Sequence, residues 1–395
     1  MAVVDLEAFR WLLTEPGQQL LARATHLYVD HAGDPVRTAT ALRGGRDVAP
    51  EHAAAALTQV DLRVRAVPKL GEDATRMYFT PEGLEQATRA RVARHRAARV
   101  AMVQPTSVLD LGCGIGGDLV ALARAGLTVA GVDRDELRVE VARANLDALS
   151  LGGAVQVAEA QDVDVTPFGV VFADPARRTA RGRVFDVEGW SPSWDFVTGL
   201  LARPSVVKAA PGIPHALLPD GVEAEWVSDE GDVKEAALWS PQLATVRRRA
   251  TVIRGDGLAS LTDEDDPGLS EVRPVGRCLY EPDGAVIRAG LVTAVAAGVN
   301  GGLVDEHIAY VTSDDAFSTP FARSYEVLEE LPFKEKQLKA ALRARGVGRL
   351  TIKKRGVDVV PDDLRKRLSL HGEQDATIVM TRVAGKGTCL LVRPF

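Results

Sequence analysis

Cysteine is scarce in this 395-residue chain: Cys113, Cys278 and Cys389 are widely spaced, odd in number, and without a CxxC or Cys/His pairing. That argues against a disulfide framework and a zinc site, and it suits a reducing, cytoplasmic setting. Long apolar runs are also missing, so no helix spanning a bilayer is expected. The opening MAVVDLEAFRWLLTEPG mixes acids with apolar residues and has no basic leader, so no export signal is expected. Histidines number seven and none falls within the motifs below, which leaves no catalytic histidine and no metal in the reading.

What is present is an ordinary folding composition, 46% hydrophobic and 26% charged, at a length that calls for at least two cores. The net charge of −6 hides an asymmetry. From Lys334 to Phe395 there are 15 Lys/Arg against 6 Asp/Glu, a local +9 that leaves the first 333 residues at −15. Such a contrast points to an appended nucleic-acid-binding module. Lys353, Lys354 and Arg355 close the strand RLTIKKRG together, and clustered cations of this kind can track a phosphate backbone. A solvated face is the plain alternative.

Residues 1–74 read as a helical domain, with apolar spacings of three and four in LEAFRWLL, QQLLARATHLYV and AAAALTQVDLRVRAV. Thr80 reads as an N-cap with Pro81 at the first helical position, opening a helix that carries Arg89, Arg91, Arg94, Arg96 and Arg99. From Ser107 strands and helices alternate: VLDLGCG, LTVAGVD, VQVAEA, GVVFADPA and SVVKAAPG are five strands. This rhythm predicts a parallel α/β sheet with its site at the carboxyl ends of the strands. VEAEWVSDEGDVKEAALW and RRRATVIR are expected to add two antiparallel strands, completing a seven-stranded Rossmann-like sheet within residues 75–255. Residues 256–325 read as linker and accessory region, with a helix in EPDGAVIRAGLVTAVAAGVNGG. Residues 326–395 read as a small α+β domain: strand, helix, strand, helix and a strand pair.

Gly112, Gly114 and Gly117 match GxGxxG, a pattern that suits a dinucleotide as well as other adenosine cofactors. The acids around it shift the balance. Asp110, Gly112, Gly114 and Gly116 read D-x-G-x-G-x-G, and a carboxylate facing the turn can receive the ammonium of a methionine moiety but would repel a pyrophosphate. Asp133 ends the second strand and can accept from ribose hydroxyls in either case. Asp162, after the third strand, is placed to accept from an adenine amino group. Asp174-Pro175 closes the fourth. Each acid alone could be a helix cap or a solvated loop charge; four at successive strand ends favour S-adenosylmethionine over NAD.

The block from Ser107 to Leu149 resembles class I S-adenosylmethionine-dependent methyltransferases, and within them the trimethylguanosine synthase branch acting on RNA. YFTPEGLEQAT resembles the segment that in that branch folds over the cofactor, which implies that Phe79 and Thr80 line the site. Residues from Phe333 onward resemble the THUMP-like domain of a group of bacterial methyltransferases, a name recording likeness to an RNA-binding module. Where amino-methylating relatives carry Asn/Asp/Ser-Pro-Pro-aromatic, this chain reads Asp174-Pro175-Ala176-Arg177-Arg178. The resemblance implies that Asp174 and the Pro175 carbonyl accept from an exocyclic amine and orient its lone pair. The missing aromatic could be replaced by Arg177, Arg178, Trp190 or Trp194, since unpaired bases stack on guanidinium and indole alike. Phosphate contacts for the arginines and core or hinge positions for the tryptophans are the plain alternatives.

The resemblance implies an N-methyltransferase for a base, guanine N2 foremost, in a structured RNA such as tRNA or rRNA. Two other functions stay open: a methyltransferase for a small molecule or protein, and a non-catalytic RNA-binding protein in which the cofactor only stabilises the fold.

Overall fold

The computed structural model describes residues 5–44, 48–175, 178–179, 182–183 and 193–395, with backbone alone for 178–179 and 182–183. The chain divides into two compact units: the first holds residues 1–209, 219–222 and 238–244, the second residues 210–218, 223–237 and 245–395.

The first unit opens with four helices, α1 (Leu6–Leu12), α2 (Glu15–Asp30), α3 (Pro35–Arg43) and α4 (Pro50–Leu70). Their starts follow from local chemistry. Asp5 and Asp34 accept backbone N–H groups that the first helical turn leaves without partners, and Pro35 and Pro50 occupy first-turn positions where no N–H is needed. The PVRTATALR helix, α3, was not among the sequence expectations. Its apolar stripe is thin, with only Thr38 and Leu42 buried.

Thr80 caps α5 (Pro81–Gln86) through its Oγ1, which accepts from the Gly83 N–H at 2.9 Å. The single helix expected from there is two. Ala87 and Arg89 are extended, and the arginine-rich run resumes as α6 (Ala90–Met102). The break places Thr88 inside the protein, at 8% exposure.

The sheet of this unit consists of β1 (Val108–Leu111), β2 (Val129–Asp133), β3 (Ala154–Val157), β4 (Val170–Ala173) and, beyond a short antiparallel pair β5 (Arg178–Thr179) and β6 (Gly182–Arg183), β7 (Ser205–Ala209). All neighbouring pairs are parallel, in the order β7-β4-β1-β2-β3. VLDL and VVFA are buried along their whole length, as strands covered on both faces must be. Three helices, α7 (Gly117–Arg124), α8 (Glu136–Ala148) and α9 (Trp194–Leu200), follow strands within the unit. Chain order reverses between β2 and β4 on either side of β1, which makes the carboxyl end of β1 the place where such a sheet opens a crevice.

Where the sequence predicts two antiparallel strands and a total of seven, residues 223–262 form four: β8 (Glu223–Asp229), β9 (Asp232–Trp239), β10 (Arg248–Arg254) and β11 (Gly257–Thr262). Glu230 and Gly231 both have positive φ, +54° and +85°, so the one long run folds back as a hairpin. β10 then runs parallel to β8, not antiparallel, and β11 pairs with it in antiparallel register. The segment expected as linker therefore begins as a strand. GLASLT is only half-buried, and its weak apolar alternation is why it reads as a loop.

The second unit also holds a seven-stranded sheet, in the order β13-β14-β12-β15-β18-β17-β16. Its strands are β12 (Cys278–Pro282), β13 (Gly302–Asp305), β14 (Ile308–Ser313), β15 (Ala322–Leu331), β16 (Val347–Lys354), β17 (Gln374–Val383) and β18 (Lys386–Pro394). The helices are α10 (Gly284–Ala289), α11 (Val292–Gly298), α12 (Glu335–Ala344) and α13 (Pro361–Leu368). The terminal strand–helix–strand–helix–strand–strand order is as the sequence indicates. The helix expected over EPDGAVIRAGLVTAVAAGVNGG is instead a strand end and two helices, because Gly290 takes a left-handed conformation at φ +69° and stops α10. The three strands β12–β14 lie in the same sheet as the terminal module, so residues 278–313 are part of its core and not a linker.

Candidate active site

Three of the four expected acids, Asp110, Asp133 and Asp174, sit at or just beyond the carboxyl ends of three adjacent strands. Register explains why. Asp110 pairs in register with Gly131 of β2 and Phe172 of β4, and one residue on, Leu111 is level with Val132 and Ala173. The chain leaves all three strands at one height, carrying Gly112, Asp133 and Asp174 with it.

The glycine turn is tight. Gly112, Gly114 and Gly116 have φ of +85°, +55° and +82°, and a Cβ on Gly116 would lie 3.2 Å from that of Ala142 on α8. Asp133 does more than the sequence suggests. Its Oδ2 accepts from the Gly114 N–H and its Oδ1 from the Asp135 N–H, each at 3.0 Å, so the acid expected to meet ribose also braces the turn.

Asp110 is the anomaly of the site. It is 1% exposed, and neither carboxylate oxygen has a hydrogen-bond partner among the described residues. Burial pushes its carboxyl well above the ordinary range, the nearby Asp118, Asp174 and Asp133 push it further, and Arg96 only partly offsets them. Buried polar groups without partners are rare in folded proteins because they are costly, and one at a strand end in a crevice is what a site built for a cationic ligand group presents. The residues therefore fit the ammonium of a methionine moiety. Asp118 is itself paired with Arg96, whose guanidinium also lies 4.5 Å from the Phe172 ring centroid, so that acid is already committed.

Asp174 is brought beside a residue that sequence reasoning missed. Ala173 pairs with Val207, so the next residues, Asp174 and Lys208, fall side by side, with Lys208 Nζ 2.5 Å from Asp174 Oδ2. Lys208 also donates to Thr88 Oγ1 at 3.3 Å, which is where the break between α5 and α6 becomes useful. The signal was visible: a lone cation in the otherwise apolar strand SVVKAA, next to its end. The backbone oxygen of Asp174 would lie 3.8 Å from a Cβ on Gly112, so the two loops approach closely.

The remaining expected site residues are placed as follows. Thr80 is 5% exposed and Phe79 fully buried, both in the segment that leads into α5. Pro175 is buried beside Asp174, while Asp162 is exposed at the end of a 3-10 turn after β3. Trp194 is half-buried at the start of α9, capped by Ser193. Arg178 lies in β5; Arg177 and Trp190 lie outside the described residues. In the second unit the three expected cations do not face outward together. Lys353 pairs with Glu281 at 3.4 Å, Arg355 lies 5.4 Å from the Tyr310 ring centroid, and Lys354 is exposed. Among the described residues no helix is long and apolar enough to cross a membrane, and no group of three or more His, Cys, Asp or Glu is arranged to hold a metal.

Three families match: a methyltransferase domain over residues 108–177, a THUMP domain-like family over 322–394, and a domain of unknown function (DUF8688) over 5–66. The chain is 40% identical over 333 residues to an uncharacterised S-adenosylmethionine-dependent methyltransferase of Mycobacterium tuberculosis, covering 82% of this chain and 90% of that one. A 76-residue stretch, 19% of each chain, is 33% identical to the tRNA (uracil(54)-C(5))-methyltransferase of Pyrococcus abyssi. Among solved structures, a Porphyromonas gingivalis W83 protein provisionally described as a methyltransferase superimposes with a TM-score of 0.75 at 23% identity, covering 95% of this chain and 98% of that one, and it shares the fold.

Proposed function

Since this chain belongs to the S-adenosylmethionine-dependent methyltransferases, we propose that it methylates an exocyclic amine of a base in a structured RNA, tRNA or rRNA, with guanine N2 as the foremost target. When bound, the cofactor supplies a methyl group made electrophilic by its sulfonium. Asp110 would hold the ammonium end, the turn at Gly112, Gly114 and Gly116 would let the backbone approach, and Asp133 would accept from ribose.

The observation that carries the amine reading is the Asp174 carboxylate at the end of β4, held by Lys208 and followed by the buried Pro175. A carboxylate there can accept an amine N–H, turn the nitrogen lone pair and take the proton the nitrogen must lose. Methylation at a pyrimidine C5, the reaction named for the Pyrococcus relative, calls for a nucleophile such as a thiolate to add to the ring. All three cysteines of this chain are buried, and burial raises the thiols, that of Cys389 to about 12. That weighs against carbon as the target. The THUMP-like match and the tRNA-modifying relative support RNA as the substrate class. The Asp174-Pro175 motif and the folded-over segment at Phe79 and Thr80 are what support the trimethylguanosine synthase branch.

The test is transfer of tritium from labelled cofactor to bulk RNA, with and without ribonuclease, followed by nucleoside mass spectrometry. Label in an N-methylated base is expected; ribonuclease-resistant label, or label on carbon, would overturn the reading. For the RNA surface, Lys354 and the exposed Lys366 are the informative cations, since Lys353 and Arg355 already have partners within the protein. Replacing both by Ala is expected to lower the slope of log affinity against log salt by about 0.7–0.9 for each phosphate that is no longer neutralised. An unchanged slope would make them solvated surface charge.

A further inference from the structure

Residues 76–85 run between the N-terminal helices and the glycine turn, and side chains rather than neighbouring strands hydrogen-bond them. We propose that the N-terminal helices are a working part of the cofactor site, and that Gln59 on α4 is the positioning residue through which they set this strap against the turn.

Gln59 is 1% exposed on the buried face of α4. Its Nε2 donates to the Phe79 carbonyl at 2.8 Å and its Oε1 accepts the Phe79 N–H at 2.9 Å. Asn145 on α8, fully buried, makes the same exchange with the preceding residue: its Oδ1 accepts the Tyr78 N–H at 2.6 Å and its Nδ2 donates to the Tyr78 carbonyl at 3.1 Å. Successive residues of an extended chain point their N–H and C=O to opposite edges. Tyr78 and Phe79 are therefore clamped from both sides, as a central strand would be, by two primary amides.

The clamp reaches the turn directly. Asn145 Nδ2 also donates to the carbonyl of Ile115, between Gly114 and Gly116, at 2.8 Å. Gly83 of the strap lies so near Ile115 that a Cβ there would be 2.3 Å from Ile115 Cγ2. The helical domain adds further bonds. Arg63 Nε donates to the Met77 carbonyl at 2.8 Å, and Lys69 Nζ to the Leu84 and Glu85 carbonyls at 2.7 and 2.8 Å. The four-helix domain thus holds one edge of the strap while Asn145 of α8, itself bonded to the glycine turn, holds the other, and the strap cannot shift without moving that residue or breaking buried hydrogen bonds.

The proposal rests on the cofactor assignment and not on the RNA reading, so the probe is S-adenosylhomocysteine alone, titrated calorimetrically against the full chain. Gln59→Met fills the same space and removes both bonds. It is expected to weaken binding by about tenfold or more, the order expected when two buried backbone groups lose their partners. Leu42→Ala, in α3 of the same domain, removes a fully buried side chain and serves as the control for reduced stability. It is expected to leave affinity within about twofold, because it loosens packing without freeing the strap. Arg63→Met removes two peripheral bonds, to the Met77 and Arg76 carbonyls, that the fold tolerates losing more readily, and about a threefold loss is expected from it. Wild-type affinity in Arg63→Met or in a folded Gln59→Met, or a loss in Leu42→Ala equal to that in Gln59→Met, would overturn the proposal.

Discussion

Asp174→Ala is expected to lower single-turnover methyl transfer by about 10²- to 10⁴-fold, the span seen when a positioned base or a charge-stabilising group is removed. Binding of S-adenosylhomocysteine should stay within a few-fold. The split follows from where the carboxylate sits. Asp174 is at the end of β4, its Oδ2 held by Lys208, while the brace on the glycine turn comes from Asp133. On the proposed reading the cofactor is held by Asp110, Asp133 and the glycine turn. What Asp174 alone offers is an anionic acceptor beside the nitrogen as positive charge develops there. Alanine leaves neither an acceptor oxygen to orient the nitrogen nor a charge to balance the one that develops on it. Rapid-quench measurement with cofactor in excess would check it; undiminished transfer by Asp174→Ala would move the chemistry to another group and remove the main support for an amine target.

Much of this site was legible because it follows short local patterns. The five parallel strands are compact apolar runs, the glycines are demanded by positive φ, and Thr80 with Pro81 announces a helix start that the structure shows. What escaped was of two kinds. RCLYEP and IAYVTS are strands that pair with each other, and RCLYEP with β15, far along the chain, while GLASLT pairs with the adjacent β10 but alternates too weakly to show it, so composition alone made them linker or helix flank. Gln59 and Asn145 escaped for a related reason. Each is a polar residue on the apolar stripe of a helix, and its partner is 20 or 67 residues away. Periodicity can flag such a residue as out of place, but only the fold shows what it holds. The KKR cluster erred the other way: three adjacent cations read as one surface, while Glu281 and the Tyr310 ring engage two of them.

Asp110→Asn should have opposite effects on the free and the liganded protein. In the free protein the buried carboxylate has no hydrogen-bond partner among the described residues, and its pKa is raised. A carboxyl whose folded pKa lies above its unfolded value favours folding below the unfolded pKa, and that contribution is lost as pH rises through the folded one. Above the unfolded pKa this raised titration is therefore a burden on the fold. Replacing the carboxyl should raise the melting temperature of the cofactor-free protein at neutral pH. Cofactor binding runs the other way, because an ammonium is best received by the ionised form. Wild-type affinity for S-adenosylhomocysteine should therefore rise with pH across the raised titration of Asp110 and then level. In Asp110→Asn that rise should vanish, with affinity on the high-pH side of the wild-type rise lowered by about 10²-fold, the order of losing one buried charge pair. Melting curves without ligand and calorimetric titrations across pH would check both halves. A variant less stable than wild type, or a wild-type affinity flat with pH, would mean that Asp110 is satisfied in the free protein and does not receive the ammonium.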